Sequence, residues 1–192
     1  AEEVGRGAPA AATVVALDEA LARRLQAAVA SPRFRVYAGR DVVGVELCAA
    51  AKNVIALAAG VSDGLGYGDN AKAGLITRGL AELSRLGASF GADPRTFGGL
   101  AGLGDLVATC CSGLSRNRRA GELLAAGVRP DRIEAEIGMV VEGVATAPTL
   151  RAAAVARALE LPIVERVCAV LDGEQPASAV ERLMARDPSQ EY

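Results

Sequence analysis

Forty of the 192 residues are alanine, whereas phenylalanine and tyrosine contribute three each and tryptophan none. A chain so poor in large rings fills its interior by bringing backbones close together, and alanine is also the strongest intrinsic helix former. The expected core is therefore a set of closely packed helices. The length suits one domain, or one and a half, and is enough to bury a sizeable interior.

Strand signals are confined to the start. Ala12–Ala16 (ATVVA) and Phe34–Ala38 (FRVYA) are short β-branched or aromatic runs, and Asp18–Ala30 between them reads as an amphipathic helix with acidic residues in its first turn. Strand, helix, strand is a βαβ unit, and two parallel strands make an incomplete sheet, so further strands are expected upstream. After Arg40 the pattern becomes helical throughout. Helices are expected near 42–61, 69–90, 94–99, 103–111, 115–126, 130–136, 145–159, 162–172 and 176–184, broken at Gly- or Pro-containing segments. The run from Val42 to Gly60 carries Glu46, Lys52 and Asn53 and is mostly alanine, which makes it a poor membrane span and a good buried helix.

Composition narrows the chemistry. The 21 basic residues are 19 arginines and two lysines, Lys52 and Lys72, against 23 acidic residues, and histidine is absent. That excludes Ser-His and Cys-His nucleophilic sites, histidine metal ligands and a histidine base. A net charge of −2 offers no global attraction to nucleic acid or membrane. Cys48, Cys110, Cys111 and Cys168 lack C-x-x-C spacing, so neither a metal site nor a disulfide framework is expected, and a reducing cytoplasm fits. The first residues, AEEVGRGAPA, have no signal-peptide layout and no starting Met, as expected of a cut into a longer protein.

Four segments could carry function. Lys52 lies in the apolar ELCAAAKNVIALAAG, and Glu46, six positions back, is rotated roughly 120° away, so it is not an i,i+4 partner. Such a lysine either snorkels to water or serves as a general acid or base. Lys72 reads as a solvated surface residue. The glycine-dense Gly60–Gly68 link reads as a tight turn between helices; its G-x-G-x-G spacing after a helix is not a dinucleotide fingerprint, and no G-x-G-x-x-G or G-x-x-x-x-G-K-S/T occurs. Asp105, at a helix start after a glycine cluster, is either an N-cap or first-turn carboxylate on the helix dipole or a partner for a buried lysine. Ser115-Arg116-Asn117-Arg118-Arg119 opens another helix, with Ser115 as N-cap; its arginines are either a solvated charge run or, since a basic first turn opposes the dipole unless an anion sits there, a phosphate site. Three arginines without interleaved aromatics do not make a nucleic-acid surface.

Read in order, GVELCAAAKNVIALAAGVSDGLGYGDNAKAGLITRGLAELSRLG, GLAGLGDLVATCCSGLSRNRRAGELL and VVEG resemble the C-terminal part of the bacterial NAD(P)-dependent glycerol-3-phosphate dehydrogenase family. The resemblance extends to about Val170. It implies a mainly α fold: the tail of a Rossmann domain over residues 1–40, then an all-helical substrate domain over 41–192 of the 6-phosphogluconate dehydrogenase C-terminal type. It also implies hydride transfer between NAD or NADP and C2 of a small phosphate substrate, interconverting glycerol 3-phosphate and dihydroxyacetone phosphate for phospholipid synthesis.

Residue by residue, the family's ALKN lysine matches Lys52, the catalytic proton carrier, with Asn53 beside it. Its GDL aspartate matches Asp105, a threonine four residues on matches Thr109, and its S-R-N segment matches Ser115, Arg116 and Asn117, all expected at the substrate. Ala1, Arg116, Val140 and Glu142 match cofactor contacts. Ala49 and Ala51 stand where the family usually has glycine and leucine, a change of volume that could shift the lysine's helix. The missing Rossmann half is an expected partner, without which the chain should not turn over. The exposed edges of a partial sheet also suit a homodimer.

Overall fold

The computed structural model describes residues 2–187. After the short helix α1 (Glu2–Gly5) comes β1 (Ala10–Val15), α2 (Glu19–Val29) and β2 (Phe34–Gly39). The two strands pair in parallel, from Ala10 opposite Phe34 to Val15 opposite Gly39. Asp18 caps α2 by accepting from the Ala20 N–H at 2.9 Å, and the Gln26 amide donates to the Val36 carbonyl at 2.7 Å, which ties helix to strand.

Helices then follow one another: α3 (Val42–Gly64), α4 (Asp69–Ser89), α5 (Pro94–Phe97), a π-helical turn (Leu100–Gly104), α6 (Asp105–Cys111), α7 (Arg116–Ala125), a 3-10 turn (Pro130–Arg132), α8 (Ile133–Ile137), α9 (Glu142–Val155), α10 (Pro162–Leu171) and α11 (Pro176–Met184). The expected mainly α architecture with a βαβ remnant is what the chain forms. Asp41 starts α3. One of its oxygens accepts from the Gly44 N–H at 2.9 Å, and the other accepts from the Asp93 N–H at 3.0 Å and the Thr96 hydroxyl at 2.6 Å. One side chain thus caps the longest helix and holds α5 against it.

The central helix α3 packs against α4, α6, α7, α9 and α10. It is long and apolar enough to cross a membrane, but half of its most apolar stretch is covered by these neighbours. Its contact with α7 is close enough to need glycine on both sides: a Cβ on Gly60 would lie 1.8 Å from the Arg118 carbonyl oxygen, and one on Gly121 2.0 Å from that of Leu57. Phe97, the largest fully buried side chain, sits over Gly87 in the same economical way.

Two expectations change here. The turn expected from Gly60 begins later, because α3 runs on to Gly64 and only Gly66, at φ +77°, uses glycine's left-handed freedom. The helix expected over 145–159 starts at Glu142 and ends at Val155, just before Ala158 takes the left-handed φ of 52°.

Buried Glu82 on α4 is a separate feature. At 3% exposure its carboxylate accepts from the Ile163 N–H at 2.8 Å and from the Val164 N–H at 3.4 Å, capping α10. Burial pushes this carboxyl up to about 7 despite the two donors. The folded chain therefore holds a proton between pH 4.5 and 7 that the unfolded chain releases, so stability falls as pH rises through that window, by about 3 kcal/mol. Urea titrations at pH 5 and pH 8 should show this loss in the native chain and a flatter response in Glu82→Gln, which keeps an acceptor but cannot ionise. Identical pH responses in the two would contradict it.

Candidate active site

Lys52 projects from the middle of α3 and pairs through Nζ with the Asp105 carboxylate; their side chains are 21% and 39% exposed. The π-helical turn delivers Asp105 to this place. Gly102 lies against the backbone of Phe97, where a Cβ would sit 2.1 Å from the carbonyl oxygen, so only glycine lets this wide turn close onto α5 before α6 begins. Such turns recur at functional sites because they reorient the residue that follows. The Thr109 hydroxyl donates to the Asp105 carbonyl at 2.6 Å, securing that first turn. Both readings of Asp105 are met, since it stands in the first turn of α6 and also pairs with Lys52; only as an N-cap is it displaced, that position being occupied by Gly104 without a side-chain bond.

One residue along, Asn53 points into the junction of α3, α7 and α9. Its Nδ2 donates to Glu142 Oε2 at 2.8 Å, while its Oδ1 accepts from Asn117 Nδ2 at 3.0 Å. Asn117 Oδ1 in turn accepts from the Gly143 N–H at 2.8 Å. Asn53 and Asn117 are only 4% and 7% exposed, so each bond replaces water that these amides could not otherwise reach. Gly143 is required at this crossing, since a Cβ there would lie 2.7 Å from the Asn53 carbonyl oxygen.

Ser115 caps α7, its Oγ accepting from the Arg118 N–H at 3.2 Å. The half-buried Arg116 donates from Nη1 to the Val140 carbonyl at 2.8 Å, which sets its guanidinium beside the exposed Met139 and Val140. The structure therefore groups Lys52 with Asp105 and Thr109, Asn53 with Asn117 and Glu142, and Arg116 with Val140, while Ser115 caps the turn that carries Arg116 and Asn117. Ala1 lies outside the described residues.

Two of the cysteines are poor proton carriers. Burial pushes Cys48, one turn from Lys52, up to about 11, and Cys110 up to about 12. Among the described residues no group of three or more metal-ligating side chains converges.

Lys72 departs from its solvated reading. Its Nζ lies 2.8 Å from Asp63 Oδ1, Asp63 Oδ2 accepts from Arg118 Nε at 2.7 Å, and Arg118 Nη2 pairs with Glu122 at 2.8 Å. Nothing local in the sequence announces a pair that closes across the corner between two helices. Asp41 and Glu142 were likewise unreadable as structural anchors, because their partners come from distant segments.

Comparison with known proteins gives a consistent result. Residues 41–181 match the family described as NAD-dependent glycerol-3-phosphate dehydrogenase C-terminus. The whole chain is 50% identical to glycerol-3-phosphate dehydrogenase (NAD(P)+) 1 of Salinibacter ruber, covering 56% of that protein. It is 52% identical to the glycerol-3-phosphate dehydrogenase (NAD(P)+) of Geobacter metallireducens, covering 57% of it. Among solved structures, the glycerol-3-phosphate dehydrogenase of Coxiella burnetii superposes with a TM-score of 0.92 at 42% identity, over 96% of this chain and 57% of that one. The yeast enzyme superposes with a TM-score of 0.84 at 27% identity, over 96% and 56% respectively. The chain thus spans little more than half the length of the curated relatives it matches. On its helices, its site and these similarities, it belongs to the NAD-dependent glycerol-3-phosphate dehydrogenase family, in that family's C-terminal part.

Proposed function

We propose that this chain is the substrate-holding and proton-handling part of a glycerol-3-phosphate dehydrogenase that interconverts sn-glycerol 3-phosphate and dihydroxyacetone phosphate. The Lys52–Asp105 pair, with its chain neighbour Asn53 bonded to Asn117 in the arginine-bearing first turn of α7, carries the reading. One half of the site offers a proton donor on an apolar helix. The other half offers a guanidinium and free helix N–H groups, the complement of a phosphate.

In the reductive direction, Lys52 donates a hydrogen bond to the C2 oxygen and passes it a proton as C2 takes up hydride; in the oxidative direction it accepts that proton. Asp105 holds the ammonium in place, and Thr109 holds Asp105. Ser115, Arg116 and Asn117 take the phosphate end, with Asn53 keeping α3 in register with α7. NAD or NADP, when bound, supplies or accepts the hydride.

The residues present fit one end of such a cofactor. Arg116 with the exposed Val140 offers a cation beside an apolar surface, and Glu142 follows two residues later at the start of α9. The β1–α2 turn does not suit a pyrophosphate, because Asp18 places a carboxylate at the helix start. The main cofactor site therefore falls to an N-terminal continuation, for which the open edges of the two-stranded sheet provide the natural attachment. Self-association as a homodimer, residence in the cytoplasm and supply of the phospholipid backbone belong to the same reading.

The test is NAD(P)H oxidation by the polypeptide containing this chain and its N-terminal continuation. Oxidation should depend on dihydroxyacetone phosphate. Arg116→Ala should raise its KM roughly 10- to 100-fold, the scale of losing a charge-assisted contact of about 1.5–3 kcal/mol. Absence of dihydroxyacetone phosphate reduction, or an unchanged KM in the variant, would refute the assignment.

A further inference from the structure

Asp63 lies eleven residues beyond Lys52 on α3, about 16 Å along the axis, too far to share a small substrate with it. Yet it joins three helices. Lys72 from the first turn of α4 holds one carboxylate oxygen, and Arg118 from α7 holds the other. All three side chains are largely covered, at 20% exposure or less. Burial alone would raise the Asp63 carboxyl, but the bonds from Lys72 and Arg118 bring it below its ordinary range. The carboxylate is thus a charged junction whose two arms are both in use.

Arg118 is the residue through which this junction reaches the substrate site. Its carbonyl rests on Gly60, its N–H is capped by Ser115, and its guanidinium is held by Asp63 and Glu122. With residue 118 gripped at backbone and side chain, the rotation of the first turn of α7 is set. Asn117 must then face Asn53, and Arg116 must face Val140. Without Lys72, Asp63 keeps a single partner and is free to swing its second oxygen onto Arg118 or into water. The Gly121 contact between α3 and α7 does not involve Lys72, so the helices stay together while residue 118 loses its side-chain grip and the first turn that it holds loosens.

We propose that Lys72 is a positioning residue for the substrate site, acting through Asp63 and Arg118 on Arg116 and Asn117. The proposal rests on the dehydrogenase reading for what is bound, and on the tether itself for how the site is shaped. The test compares Lys72→Met and Lys72→Arg in the polypeptide with its N-terminal continuation. Lys72→Met should raise the KM for dihydroxyacetone phosphate about tenfold, as small misplacements of binding groups do, with a smaller rise in the KM for NAD(P)H because Arg116 also stands at the cofactor end. Lys72→Arg, which restores the cation, should recover most of the loss. A KM for dihydroxyacetone phosphate within about twofold of the parent in Lys72→Met would overturn the proposal, as would an equal defect in Lys72→Arg.

Amide hydrogen exchange separates this failure from that of the dehydrogenase reading, because it needs no turnover. In Lys72→Met, the Arg118 and Arg119 amides, which bond to Ser115, should exchange about tenfold faster while α9 is unchanged. Rates at these two amides equal to the parent's would overturn the tether even if the parent protein proved inactive toward dihydroxyacetone phosphate, an outcome that would itself sink only the substrate assignment.

Discussion

Replacing Lys52 by methionine, in the polypeptide that joins this chain to its N-terminal continuation, is expected to lower turnover about a thousandfold, the middle of the range for a lost general acid or base. Methionine keeps most of the aliphatic stem on α3 and removes only the ammonium, so the fold should be retained. Two other proton carriers on or beside α3 are otherwise committed. The Cys48 thiol, one turn away, is pushed up to about 11 by burial, and Lys72 is engaged by Asp63. Binding of NAD(P)H should be nearly unchanged, because Lys52 acts on the substrate oxygen. Stopped-flow turnover together with a fluorescence titration of NADH checks both halves of this expectation. Turnover within tenfold of the parent would remove Lys52 from the chemistry.

The largest stability effect is expected at Gly121. A side chain there would start 2.0 Å from the Leu57 carbonyl oxygen and 2.6 Å from the Val61 nitrogen, backbone atoms of α3 that no rotamer change can move aside. Gly121→Val must therefore push α7 off α3, with a loss of about 4 kcal/mol or more, beyond the usual cost of overpacking. The control is Gly74→Ala on α4, where nothing lies within 4 Å of the added Cβ. There the better helix propensity of alanine should stabilise by about 0.5–1 kcal/mol. Urea midpoints of the two variants should move in opposite directions. A Gly121→Val midpoint near the parent's would mean that α3 and α7 are not in backbone contact in solution. The same contact places Asn117 and Arg116, so the stability and the substrate site of this protein depend on one glycine-mediated crossing.

Much of this is written in local patterns. The alanine-rich composition announces close helices, the apolar run from Val42 announces the central one, and Ser115 is recognisable as the cap it proves to be. Lys52 stands out because it is one of two lysines and sits in an apolar helix. What stays hidden depends on partners distant in sequence. Gly60 looks like a turn residue because a glycine needed for close approach and a glycine needed for positive φ are the same letter; only α7 tells them apart. Glu82 looks like one more polar position of an amphipathic helix until the start of α10 is laid against it. Lys72 looks solvated until the corner between α3 and α4 folds Asp63 back onto it. The Asn53–Asn117–Glu142 cluster spans 89 residues of sequence, and its mutual bonding is a property of the helix junction alone.

The most direct test is a structure of the polypeptide, including its N-terminal continuation, with dihydroxyacetone phosphate bound. The C2 oxygen should lie about 3 Å from Lys52 Nζ, within hydrogen-bond reach, and the phosphate should rest on Arg116 at the start of α7. A bound substrate with its C2 oxygen out of reach of Lys52, or with its phosphate away from α7, would contradict the account.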